Sequence, residues 1–213
     1  MTYAQRKGID LGTEETGGAY LDGSDVIVPI YDLETHEVVG SQRIPPFGKK
    51  LFSRGLRKSE RTGLLIGPET KRLIIAEGWA TACAVYKFTS EQALFALDSG
   101  NLPHVCKWLQ RHFPNRELIV AADNGDAGRK AAKLSGLPWS HPSELNDWDD
   151  VLRAEGADAA KEQFELNLIL PQKNDCRGLI SGDHLIAKEF EPVPYIYREI
   201  IPAVGLTLIA GAP

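Results

Sequence analysis

Apolar residues in this chain fall into short runs separated by polar, glycine-bearing turns, and the rhythm of those runs changes near residue 70. Before that point, Val26-Ile-Val-Pro-Ile-Tyr-Asp32 and Val38 to Ile44 read as two strands joined by a turn at Glu34-Thr-His36, which predicts a hairpin. Pro29 inside the first strand predicts an edge position or a bulge, because it brings no N–H to a ladder. Residues 1–25 carry a short helical segment and a Gly17-Gly18 turn, and Gly63 to Pro68 closes this region. From Lys71 onward strands and helices alternate. Strands are expected at Leu73 to Ala76, Ala93 to Leu97 and Leu118 to Ala122. Helices are expected at Trp79 to Phe88, at Leu102 to Phe113 with Asn101 as its cap, at Gly128 to Leu134 and over residues 157–168, with an amphipathic run at Val151 to Arg153. Such alternation is the pattern of a parallel α/β sheet.

The ends of those strands are acidic. Leu73 to Ala76 runs into Glu77-Gly78, Leu118 to Ala122 runs into Asp123-Asn-Gly-Asp126, and a third cluster, Glu144-Leu-Asn-Asp-Trp-Asp-Asp150, follows. In open parallel sheets, ligands bind at the carboxyl ends of strands, so acids placed there are suited to a divalent cation. Each acid also has a plainer reading. Asp126 at a helix start can simply accept backbone N–H bonds, and Glu77 can simply answer a helix dipole. Three acidic turns at equivalent places favour metal-assisted phosphoryl or nucleotidyl transfer, in which hard cations bridge carboxylates and phosphates.

Charge and cysteine content narrow the class further. The chain of 213 residues has a formal net charge of −5, which argues against indiscriminate nucleic-acid binding by its whole surface. Between Gln42 and Arg61, however, Arg43, Lys49, Lys50, Arg54, Arg57, Lys58 and Arg61 face a single acid, Glu60. That strip is a candidate phosphate-contacting surface with Phe47 and Phe52 available for stacking; otherwise it is a solvated loop. Cys83, Cys106 and Cys176 form no C-x-x-C pair, so buried free thiols in helices are expected for Cys83 and Cys106 and no structural zinc site is expected. No apolar run is long enough to span a membrane and the N-terminus lacks the apolar core of a signal peptide, which makes the cytoplasm the expected location.

Taken together, Glu77-Gly78, Asp123-Asn-Gly-Asp-Ala-Gly-Arg-Lys130 and Asn146-Asp-Trp-Asp-Asp150 resemble the three acidic elements of the Toprim domain. The likeness is to its version in primases and primase-helicases of phages, plasmids and other mobile elements. The preceding Val26 to Asp32, Gly40-Ser-Gln-Arg-Ile44 and Lys49-Lys-Leu-Phe52 are similar to the segment before Toprim in those enzymes, and the resemblance covers about residues 3–168. It implies an α/β fold with a Rossmann-like parallel sheet flanked by helices and a smaller strand-rich N-terminal region. It also implies synthesis of short RNA primers from NTPs on single-stranded DNA with Mg²⁺ or Mn²⁺, two such ions sharing the site. By position, Glu77 matches the motif glutamate, a general acid/base or extra metal ligand, and Asp123 matches the first aspartate of the metal pair. Asp147 and Asp150 match the trailing metal acids. Arg129 and Lys130 stand where the family starts a helix behind the acidic turn, and with Arg43, Lys49, Lys50, Arg54, Arg57 and Lys58 they are candidates for nucleic-acid or NTP contacts. Toprim-type phosphodiester cleavage is the alternative enzyme class, and a non-catalytic DNA- or partner-binding module is the alternative outside enzymes.

One departure falls on a central residue. The family pattern Asp-x-Asp-x-x-Gly would place its second acid at position 125, where this chain has Gly125, and the carboxylate follows one step later at Asp126. Either a bulge at Gly125 returns Asp126 to the metal, or a ligand is lost. Near the C-terminus a helix is expected from Ser181 to Phe190. A strand then leads into Gly211-Ala-Pro213, resembling the approach to the phosphate-binding loop of a RecA-type helicase cut after its first glycine. The expected organisation is therefore an N-terminal basic, strand-rich part over 1–70, a Toprim domain over 71–172, and over 173–213 a linker with the start of a helicase domain as partner.

Overall fold

Between Tyr20 and Phe52 the chain doubles back on itself to build an antiparallel sheet. The computed structural model describes residues 1–171, Gly12 and the side chain of Glu14 apart, together with the backbone of 195–197 and 201–202. A short helix α1 (Tyr3–Arg6), closed by a Thr2–Gln5 capping box, precedes a 3₁₀ turn at Glu14–Thr16. Then come β1 (Tyr20–Asp22), β2 (Asp25–Asp32), β3 (Val38–Ile44) and β4 (Leu51–Phe52), hydrogen-bonded in that order, while β5 (Arg61–Thr62) also pairs with β2. The expected hairpin is β2–β3. Asp32 Oδ1 tightens its turn by accepting from the N–H groups of Glu34 and Thr35, at 2.8 and 3.0 Å.

Pro29 does not mark an edge strand, because β2 is interior. On its non-β3 side, pairing to β1 ends at Ile27 and pairing to β5 starts at Tyr31, so Pro29 falls in a gap between two partners. The register with β3 also shifts just beyond it, between Ile30 and Tyr31. The proline is thus tolerated by local discontinuities in an interior strand.

The second sheet runs through β6 (Arg72–Ala76), β7 (Gln92–Phe95), β8 (Glu117–Ala121) and β9 (Trp139–Ser140), all parallel, in the order β7-β6-β8-β9. Period-two alternation sends Ile74 and Ala76 to one face and Leu73 and Ile75 to the other. Both faces are covered. The first packs on α2 (Trp79–Thr89), α5 (Trp148–Glu155), α6 (Ala157–Leu166) and apolar residues of the N-terminal sheet; the second packs on α3 (Leu102–His112) and α4 (Asp126–Ser135). Burial on both faces is why β6 reads as an unbroken aliphatic run, each such side chain contributing about 1.5–3 kcal/mol. Cys83 in α2 and Cys106 in α3 are buried free thiols, as their spacing predicted.

The change of rhythm near residue 70 marks a change of sheet, and Met1–Pro171 form one compact unit across it. Ile66 exchanges backbone hydrogen bonds with Ala93 at the β7 edge, and Ile169 does the same with Trp139 at the β9 edge. Residues 172–213 are a second unit, in which β10 (Tyr195–Tyr197) pairs antiparallel with β11 (Ile201–Pro202). The helix expected at 181–190, the strand leading to Gly211 and Cys176 lie outside the described residues. No helix among the described residues is long and apolar enough to cross a membrane.

Candidate active site

Three of the predicted acids stand on three different segments at the same end of the parallel sheet. Glu77 follows β6, Asp123 lies just past β8, and Asp147 caps α5 by accepting from the Asp150 N–H at 2.8 Å. The two last segments are tied directly to each other. Asn124 N–H donates to the Asn146 carbonyl at 2.8 Å and its side chain donates to the Leu145 carbonyl at 3.1 Å, drawing the third acidic element onto the Asp123 turn. Trp148, fully buried between Phe88 and Phe164, pins the other end of that element into the core. Gly128 lets α4 begin against Asp123, since a Cβ there would lie 2.7 Å from the Asp123 carbonyl oxygen.

The electrostatics of the three acids are shared. Burial pushes the Asp123 carboxyl up to about 7; the charges of Glu77 and Asp147 add to this, while Lys50 and the Thr81 hydroxyl oppose it. Glu77 is also raised, chiefly by burial, against the pull of Lys50 and the Ser99 backbone N–H. Asp147 is raised by burial first, with its N–H bond from Asp150 and the charge of Lys7 working the other way. Asp123 Oδ1 is buried and has no hydrogen-bond partner. A buried carboxylate oxygen without a partner, among other carboxylates, fits a divalent cation: the ion would satisfy that oxygen and remove the mutual repulsion. Glu77, Asp123 and Asp147 are the residues that would hold it.

Asp126 does not join this group. It is the first residue of α4, its side chain is 99% exposed, and it pairs with Arg129 at 2.8 Å. Gly125 is the helix N-cap in an extended conformation (φ −77°, ψ 157°) and makes no bulge that would return Asp126 inward. Arg129 is held within its own turn, donating to Asn124 Oδ1 as well, while Lys130 is exposed. Asp150 is engaged by Arg153 and lies 3.6 Å from Lys7.

The basic strip divides into two kinds of residue. Arg43 is committed to Asp22 and Asp25 at 2.5 and 2.8 Å, and Arg61 to Asp32 at 2.7 Å. Lys58 sits 4.1 Å over the Phe52 ring and bonds Asp98 at 2.6 Å. Lys49, Lys50, Arg54 and Arg57 are exposed and without ion pairs among the described residues, and Phe47 beside them is 93% exposed. Lys50 belongs to the acidic site as well, through its effect on Glu77 and Asp123.

Some participants escape the sequence reading. Lys7 carries no motif, yet its Nζ reaches Asp149 at 2.5 Å, and that hydrogen bond with the field of Asp147 holds the ammonium's pKa up although burial works against it. Asp149 stood in the third acidic element without a role; it is buried and binds both Lys7 and Arg153. Asn101 is the N-cap residue of α3, its carbonyl accepting from the His104 and Val105 N–H groups, but its side chain makes no capping bond. Instead it donates to the Arg61 and Ala96 carbonyls at 2.8 Å each and accepts from Glu60 N–H, clasping the end of the strip to the sheet.

Residues 72–158 match the sequence profile of the Toprim domain. The chain carries a Toprim domain. It is 30% identical over 121 residues to the DNA primase TraC of Escherichia coli, an alignment covering 54% of this chain and 11% of that protein, so it spans about a tenth of that relative's length. The primase fragment of the bacteriophage T7 primase-helicase superposes with a TM-score of 0.58 at 16% identity, covering 75% of this chain and 72% of the other. The DnaG primase catalytic domain bound to single-stranded DNA superposes with a TM-score of 0.51 at 19% identity, covering 78% and 62%. The residues that match Toprim carry the acid cluster, and the superposed share of the chain, 75% for the T7 fragment, is larger than that match.

Proposed function

We propose that this chain is the catalytic part of a DNA primase, joining NTPs into short RNA primers on single-stranded DNA with Mg²⁺ or Mn²⁺. The observation that carries the reading is the convergence of Glu77, Asp123 and Asp147 around a buried, unpartnered Asp123 oxygen, with Lys50 beside them. When bound, the ion would supply charge stabilisation at the attacked phosphorus and at the oxygens entering and leaving it. Glu77, raised by burial, is suited to take the proton from the attacking hydroxyl. Lys50 offers a point charge to the triphosphate. Lys49, Arg54 and Arg57 supply exposed cations for template phosphates and Phe47 a free ring for a base, with Lys130 a further cation at the start of α4. The likeness to primases and the TraC alignment support this reading. The phosphate-binding-loop resemblance near Gly211 would add a helicase domain as partner, and a replication enzyme of this kind would work in the cytoplasm.

One observation favours a second reading, a DNA-binding module without catalysis: the turn lacks an inward carboxylate at 125 or 126. The deciding experiment is incubation with labelled NTPs and single-stranded DNA in Mg²⁺ or Mn²⁺, beside a nuclease assay on the same DNA. Short RNA products that fall at least about a hundredfold in Glu77→Gln and Asp123→Asn support the primase. DNA binding without synthesis leaves the module, and DNA cleavage leaves the nuclease.

A further inference from the structure

Next to the proposed metal acids lies a second, tighter acidic group that already holds a cation of its own. Asp147, Asp149 and Asp150 present ligand oxygens all within 4.8 Å of one another, compact enough for a metal ion. Into this group Lys7 inserts its ammonium, 2.5 Å from Asp149, 3.6 Å from Asp150 and 3.9 Å from Asp147.

We infer that Lys7 acts as a built-in cation that occupies the Asp147–Asp149–Asp150 cluster and keeps divalent metal out of it, leaving Asp147 alone of the three to share an ion with Glu77 and Asp123. This rests on the reading of Glu77, Asp123 and Asp147 as metal ligands. Hard cations sit roughly 2.0–2.6 Å from carboxylate oxygens, so an ion in the cluster would have to take the space of the ammonium. Lys7 is poorly placed to yield. It ends α1, donating its N–H to the Tyr3 and Ala4 carbonyls, and that helix is fixed by its capping box, by buried Ala4 and by the Tyr3 ring against Trp79.

Charge points the same way. Asp149 is 1% exposed and needs a cation whether or not metal is present, and Lys7 and Arg153 supply two against the three carboxylates. One negative charge remains, Glu77 and Asp123 add two more, and Lys50 beside them offsets one, which leaves a local total of two. A divalent ion among Glu77, Asp123 and Asp147 balances that total; another in the Lys7 cluster would press like charges together. Lys7 is thus a positioning residue: it holds Asp149 and Asp150 as structure and confines metal to the Asp123 side.

The test counts Mn²⁺ bound to the whole chain, by electron paramagnetic resonance of free ion during titration, with folding checked by circular dichroism. Lys7→Met should bind one more Mn²⁺ than wild type, and the extra ion should disappear in Lys7→Met/Asp150→Asn. Lys7→Gln, which still donates to buried Asp149, should show the same gain and carries the comparison if Lys7→Met does not fold. In the wild-type background Asp150→Asn should leave number and affinity within about twofold, whereas Asp123→Asn should weaken binding by about tenfold or more. Equal Mn²⁺ counts in wild type and the Lys7 variants, or a marked loss in Asp150→Asn alone, would overturn the role given to Lys7. Unchanged binding in Asp123→Asn would instead overturn the metal reading of Asp123, and the Lys7 comparison would still be read from the difference between variant and wild type.

Discussion

The ammonium of Lys50 lies 2.9 Å from the point where a Cβ on Gly78 would stand. A residue of the basic strip therefore reaches the acidic end of the sheet because the position after Glu77 has no side chain. Gly78 caps α2 with an extended backbone (φ −121°), so alanine is conformationally allowed and meets only the mobile end of Lys50. Gly78→Ala should fold normally, with a loss of a few tenths of a kcal/mol at the cap, yet move Lys50 away from Glu77 and Asp123. Primer synthesis should fall and the KM for NTP rise. An unchanged KM would show that Lys50 does not serve the triphosphate.

The acid cluster gives the metal-free protein a distinctive pH dependence. Asp123 titrates near 7 in the folded state and near the ordinary aspartate value unfolded, so between those values the folded chain holds the extra proton. Stability therefore falls as pH rises from about 4 to about 7, by up to ~4 kcal/mol from this group, and stays low above it. Denaturant melts in chelator should show a higher midpoint at pH 5 than at pH 8. Asp123→Asn should flatten that slope. A midpoint rising over this range in wild type, with no change in Asp123→Asn, would contradict the burial of the carboxylate.

Asp126 and Gly125 make a matched pair of tests. Because Asp126 is exposed and occupied with Arg129, Asp126→Asn should alter Mn²⁺ affinity by less than about twofold and stability by under ~0.5 kcal/mol. Gly125 has open space at its Cβ position and the dihedrals of a helix N-cap, which aspartate accepts readily. Gly125→Asp should fold and tighten Mn²⁺ binding by adding an acid to the turn. Weaker binding in Gly125→Asp, or a large loss in Asp126→Asn, would show that Asp126 reaches the ion.

Within the strip, the residues free of carboxylate partners should govern nucleic-acid affinity. Replacing Lys49, Arg54 and Arg57 with alanine should weaken single-stranded DNA binding at all sequences and reduce the salt slope by about 2, at roughly 0.7 for each phosphate no longer neutralised. Arg43→Ala should leave that slope nearly unchanged, since Arg43 is held by Asp22 and Asp25. Fluorescence anisotropy across a salt series distinguishes the two sets. Equal slopes for all the variants would make the strip a solvated loop.

The strands and helices around the Toprim sheet were legible because both faces of β6 are buried and the turns after β6 and β8 are marked by acid and glycine. Glu77 and Asp123 were picked out by those positions, and Asp147 by the resemblance of the third acidic element. What escaped the reading depends on contacts between distant segments. Lys7 meets Asp149 across 142 residues, and the Asn101 side chain bonds Arg61 and Ala96 instead of capping α3, neither of which leaves a local pattern. The short strands β1, β4, β5 and β9 lack runs of their own and are strands only because a neighbour offers a ladder. The side-chain direction of Asp126 likewise turned on one residue of register at the start of α4, where a helix points successive side chains about 100° apart.

The single-residue bridges at Ile66 and Ile169 have a consequence for what can be cut from this protein. Each closes one outer strand of the parallel sheet with an antiparallel pair of hydrogen bonds, so the segment entering the sheet region and the segment leaving it serve as selvedges. A chain trimmed to residues 72–158 would keep all four strands and every candidate metal acid, yet it would present two bare rows of backbone donors and acceptors. Copies of such a piece would be prone to zip together edge to edge, and the integrity of the acidic site would be lost to association before its chemistry could be assayed.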